Sequence, residues 1–125
     1  MIREMSSHLK TKQSLAPAAR TASANGTGID HQGYSSQLYV FDVGTITDGT
    51  HTPKLQESDD NSAFTDVAAA DQVGTLSALA SNVQQKAAYI GNKRYSRAVV
   101  TVAGATTGGV YSAACIQGHA HALPV

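Results

Sequence analysis

The chain has 125 residues, nine Lys plus Arg against nine Asp plus Glu, and a formal net charge of zero. That length suits one domain with its own core, and the balance argues against sequence-independent nucleic-acid binding, which needs surplus cations to displace counterions. Charged residues make up only 14%, below the roughly one quarter usual in soluble domains, so the neutral, small-residue surface suits a protein packed against others.

Residues 1–14 are read as a flexible N-terminal arm, because Arg3, Lys10 and Lys12 stand among serines with few anchoring apolar residues. Residues 15–125 are read as a single β-sandwich domain. The N-terminus has no apolar segment of the secretory kind, and no apolar run approaches the ~18 residues of a membrane span. Synthesis in the cytoplasm and no membrane partner are expected.

Leu15 to Ala24 is expected as an edge strand, where Pro17 is tolerated. Asn25-Gly26-Thr27-Gly28 and Asp30-His31-Gln32-Gly33 mark turns. Ser36 to Val43 is a strong strand, with Leu38, Val40 and Asp42 on one face. Tyr39, Phe41 and Val43 share the other, which is the expected core side. Asp48-Gly49 is a turn signal. Thr52 to Ser58 and Phe64 to Val67 are expected to pair across the Asp59-Asp60-Asn61-Ser62 turn. In Ala68 to Gln85, Val73, Leu76, Leu79 and Val83 fall near helical spacing, so a short helix and a loop with one edge strand both fit. Ala87 to Gly91 is a further strand. Arg94 to Gly118 is expected to form a hairpin, with Gly104-Ala-Thr-Thr-Gly-Gly as its reversing connection. Short strands separated by turn signals predict an all-β, jelly-roll-like sandwich with at most one short helix.

Candidate chemistry is sparse. His119 and His121 alternate and could share a metal with His51, His31 or an acidic residue, but the spacing specifies no third ligand. The Asp59-Asp60-Asn61 turn, with Asp48 or Asp66, could hold calcium, yet it lacks the regular alternation of a calcium loop. Turn chemistry explains those residues without a metal. Cys115 lies in an apolar run and reads as a small buried hydrophobe. The glycine-rich stretch lacks the following helix that a phosphate cradle needs. Arg94, Tyr95 and Arg97 read as ordinary surface residues. Neither a catalytic residue nor a cofactor or metal is expected, and the chain is read as no enzyme.

The strings YVFDVGTITDGTHTPKLQESDDNSAFTDVAAAD and YIGNKRYSRAVVTVAGATTGGVYSAACIQGHAHALPV resemble a group of small virion structural proteins of tailed phages and prophages. The resemblance spans roughly Ala18 to Val125, with DVGTITDGTHTPKLQESDDN, YIGNKRYSR and GHAHALPV the most specific pieces. It implies a capsid decoration (cement) protein on the outer surface of the capsid in the virion, bound to the major capsid protein and to neighbouring copies of itself as a homodimer or homotrimer. It leaves open a head–tail connector or tail role, or a carbohydrate- or receptor-binding module on the phage surface. LQESDDNSAFTDV followed by KRYSRAVV is also similar to discoidin-like jelly rolls. That similarity supports the fold rather than sugar binding, since aromatic residues are only 6% of the chain.

Overall fold

The computed structural model describes residues 3–124. The ten strands are β1 (Lys10–Arg20), β2 (Ala24–Asn25), β3 (Ile29–Asp30), β4 (Tyr34–Ile46), β5 (Thr50–Ser58), β6 (Thr65–Asp66), β7 (Gln72–Val73), β8 (Gln85–Tyr89), β9 (Tyr95–Ala103) and β10 (Gly109–Ala120). They form two antiparallel sheets. Sheet A has the order β1-β10-β4-β8-β7, and sheet B the order β2-β9-β5-β6, with β3 also on β9. The chain crosses between the sheets at six of its nine steps, and that winding is a jelly roll. The all-β sandwich expected from the turn spacing is therefore the observed architecture.

The core lies between the sheets. Tyr39, Phe41 and Val43 of β4, with Tyr111, Ala113 and Cys115 of β10, face Leu55, Ala98 and Val100 of sheet B. The expected inward face of β4 is the observed one, because only that parity buries two aromatic rings at once. Ser14 ties the layers at the β1 edge. Its hydroxyl donates to the Thr27 carbonyl and accepts from the Ala98 N–H, each at 3.0 Å.

Two expectations change. The stretch Arg94–Gly118 is not a hairpin, because β9 belongs to sheet B and β10 to sheet A. The two strands face one another across the core, and Gly104 and Gly108 turn the chain from one layer to the other with φ of 68° and 81°. Alternation and a glycine turn look the same whether the returning strand lies beside its predecessor or opposite it. The arm boundary at residue 14 moves to residue 10. Lys10 to Gln13 already pair with Gln117 to Ala114 of β10, an unbroken ladder that residues 1–14 do not advertise by hydrophobicity. Met1, Ile2 and Val125 lie outside the described residues.

The segment Ala68–Gln85 is no α-helix. It holds one 3-10 turn at Ala69–Asp71, then β7 and a loop. Leu79 is buried and Leu76 packs against the core, whereas Val73 and Val83 stay exposed. Gly74 takes φ of 102°, outside any helix. Pro53 fits within β5 for a specific reason. The carbonyls of His51 and Leu55 accept from Leu79 and Val67 on the side away from β9. Residue 53 shares that side by strand parity, and its missing N–H leaves no ladder bond unmade.

Candidate functional site

The sequence candidates separate in space. His119 has φ of 50°, which breaks the strand alternation that would have aligned it with His121. Its Nδ1 pairs with the Ser36 hydroxyl, whereas His121 Nε2 pairs with Ser35 Oγ at 3.1 Å. His121 borders a shallow hollow with His31 and Arg94, and His119 lines a different groove. His51 is buried, with Nδ1 against the Tyr111 hydroxyl and Nε2 against the Asp48 carbonyl, both at 3.0 Å. The carbonyl can only accept, so Nε2 carries the proton and Tyr111 donates to Nδ1. Among the described residues no three His, Cys, Asp or Glu side chains gather as a metal site would require.

The acidic residues are committed to turns and ion pairs. Asp60 accepts from the N–H groups of Ser62 and Ala63 and from Ser58 Oγ, and those bonds hold its carboxyl below the usual range. Asp59 pairs with Lys93 at 2.9 Å, and Asp66 with Lys54 at 3.0 Å. Asp48 lies elsewhere. Its carboxylate accepts from the backbone N–H groups of Gly108, Thr107 and Thr106, which lowers its pKa. The Asp48-Gly49 turn thus pins the β9–β10 crossover to the β4–β5 crossover.

Arg94 and Arg97 are likewise engaged within the chain. Arg94 forks onto Asp30 at 2.9 and 3.1 Å and reaches Gln32. Its guanidinium holds the Asp30 carboxyl down to about 2. Arg97 donates to Gln56 and lies 4.0 Å from the centre of the Phe64 ring.

A buried polar chain crosses the core. His31 Nδ1 donates to the Lys93 carbonyl at 3.1 Å, so Nε2 must accept from Ser96 Oγ at 2.6 Å in the neutral ring. Ser96 Oγ in turn accepts from the Tyr39 hydroxyl at 2.5 Å. Burial lowers the His31 pKa and raises that of Tyr39. Ser96 is fully buried, and this serine–histidine pair ties the segment after β3 to β4 and β9. Cys115 is fully buried too, and burial pushes its thiol up to about 12. Its expected role as a buried hydrophobe agrees with that position.

The surface that stands out is the outer face of sheet A. The register places Ile116, Leu38, Ala88 and Val73 in one row across β10, β4, β8 and β7. Ala114, Val40 and Lys86 form the next row. A groove of about 800 Å³ runs over this face, with Leu38, Ala88 and Ile116 on its floor and Met5, Leu9 and Leu123 from the two terminal segments lining it. Of the six large apolar side chains left exposed among the described residues, all but Val83 belong to this face or its walls: Met5 and Leu123 line the groove, Val73 stands in its row, Val110 shares the outward parity of Ala114 and Ile116, and Ile90 that of Ala88. The sequence carried a signal for it. Leu38 and Val40 on β4 and Val110, Ala114 and Ile116 on β10 put apolar residues on the outward parity as well, where a strand with one solvated face would alternate with polar ones.

No family model matches the chain, and no curated protein sequence matches it. The fold is shared with a prophage protein. The crystal structure of SPBc2 prophage-derived protein YomS superposes with a TM-score of 0.54 over 87% of this chain and 91% of that one, at 16% identity.

Proposed function

We propose that this chain is a non-enzymatic structural protein of a tailed-phage virion, a decoration protein that binds the major capsid protein on the outer surface of the head and stabilises it. The observation that carries the assembly part of the reading is the outer face of sheet A, whichever chain covers it. A contiguous apolar surface bordered by both terminal segments is characteristic of a protein–protein contact. The resemblance of Ala18 to Val125 to small phage virion proteins supports the same reading, as does the fold shared with a prophage-derived protein. The polar groups that could have served chemistry are spent on turns, ion pairs and the buried His31–Ser96–Tyr39 chain. Stability gained on assembly follows from binding the folded form alone.

Mass spectrometry and electron cryomicroscopy of intact particles of the encoding phage test this directly. The expected result is many copies spread over the shell in contact with the major capsid protein. A few copies at one vertex would assign the chain to the connector or tail instead. Particles that lack the polypeptide would overturn the virion reading.

A further inference from the structure

We propose that the outer face of sheet A is a two-fold interface with a second copy of this chain. The inference deepens the assembly reading and rests on it only in expecting copies to meet. Its test in solution fails separately from the virion test.

Three features of this face are self-complementary. The first is relief. The terminal segments carrying Met5 and Leu123 rise on the β10 side of the groove, while the β7 side ends low at Val73, which is 58% exposed. A two-fold axis parallel to the strands, between β4 and β8, exchanges those sides. It lowers each copy's Met5 and Leu123 wall onto the other copy's Val73 edge, so the exposed apolar side chains of the face cover one another.

The second is side-chain size. The same axis exchanges β4 with β8 and keeps each row at its own height. Leu38 then lies over the partner copy's Ala88, its register mate within the sheet. Continuing the register by one residue, Ile90 lies over Ser36. Large meets small in both rows, as interdigitated layers require.

The third is charge. Lys86 sits beside Val40, and Asp42 lies one row further on the same face. Neither forms an ion pair among the described residues, and Asp42 accepts only from the Gln84 amide at 3.2 Å. The axis brings each Lys86 over Val40 of the other copy, next to Asp42, and makes two equivalent pairs. With a net charge of zero, two copies meet without long-range repulsion.

The area is of the right order. The four strands that overlap under this axis, at about 4.8 Å, and the seven residues Ser112 to Gly118 at about 3.3 Å project roughly 19 by 23 Å per copy. Surface relief and the terminal segments add to that projection, toward the ~1,000 Å² total that a specific interface clears. Closed two-fold dimers are also the commonest soluble assembly.

Analytical ultracentrifugation of the full chain tests the proposal. The wild type should sediment as a dimer at concentrations on the order of 100 μM. The double variant Val73→Asp/Ile90→Asp alters two exposed side chains, so it should keep the wild-type circular dichroism and become monomeric. Thr101→Glu, at an exposed position on the outer face of sheet B, should remain dimeric. Asp42→Lys should weaken the dimer about tenfold by placing cation against cation, and Asp42→Lys/Lys86→Asp should recover most of the loss. A monomeric wild type overturns the proposal. So does a dimer that survives Val73→Asp/Ile90→Asp, or a monomer whose binding to capsids is abolished by that variant, which would give the face to the shell.

Discussion

The two outer faces of the sandwich are built on opposite terms. Sheet B presents Thr52, Lys54, Gln56, Arg97 and Thr101, all exposed or half-buried, and their polar groups serve one another. Arg97 bonds Gln56, Gln56 bonds Asp66, and Lys54 pairs with Asp66. Sheet A presents Leu38, Val40, Ala88, Ile116 and Val73 in continuous rows. Both sheets bury their inner faces equally well, so the core does not explain the difference. One outer face is finished in water, and the other becomes so only when covered. The fold supplies the same scaffold to both, and the proposed assembly uses the face that the sequence leaves apolar.

The comparison can be broken or sharpened by substitution. The largest loss should come from neither outer face. Phe41→Ala empties a fully buried site between the layers and should cost about 3–5 kcal/mol in urea unfolding. Leu38→Ala, its neighbour on the outer side, should cost only about 1 kcal/mol in the monomer, since that side chain is half-exposed.

Next comes the crossover that distinguishes a jelly roll from the expected hairpin. A Cβ at Gly108 would overlap the Arg20 backbone carbonyl, and φ there is 81°. Gly108→Ala should cost about 2 kcal/mol or more by adding steric overlap to left-handed strain. Gly33 has φ of 93° but open space around it, and Gly33→Ala should cost only about 1 kcal/mol. Equal losses would contradict the inter-sheet crossing at Gly108.

The His31 chain gives a pH signature that belongs to the core. Its folded pKa lies below 6.5 because burial disfavours the charged ring. The nearby Asp30 partly opposes that shift, and Lys12 adds to it. Arg94 and His121 border the same hollow, and the Tyr89 ring lies 5.1 Å away. Between the depressed value and 6.5 the unfolded chain binds a proton that the folded chain refuses. Stability is therefore whole above about pH 6.5 and declines as the pH falls below it. Asp30, lowered to about 2, contributes stability above pH 3.8 that is lost below, so the His31 decline sets in at higher pH than the Asp30 decline. Unfolding titrations of His31→Gln should lose the upper decline and keep the lower one. The smallest effect should be on the finished face, where Thr101→Glu should change stability by no more than about 0.5 kcal/mol and leave association untouched.

The sequence was most readable where one side chain parity buries far more than the other. Tyr39, Phe41 and Val43 announce the inward face of β4. It was least readable where distant pairing decides the outcome. Nothing within Gly104–Gly109 tells a turn within one sheet from an arch between two, because that choice depends on β4 and β1 flanking β10. Lys10 to Gln13 lack apolar weight and become a strand only because β10 offers an edge. The histidine pair was misplaced by the positive φ at His119, which a strand pattern does not disclose. The apolar outer face could have been read from Leu38 and Val40, whose presence opposite an aromatic core face has no use in a strand solvated on one side.

Methyl-resolved NMR over a dilution series tests the difference between the faces most directly. On going from millimolar to low micromolar chain, the methyl signals of Leu38, Val40, Ile90 and Val73 should shift together, while those of Thr52 and Thr101 on sheet B and Val43 and Val100 in the core stay fixed. Signals that are unchanged throughout, or shifts concentrated on the outer face of sheet B, would contradict an assembly surface on sheet A.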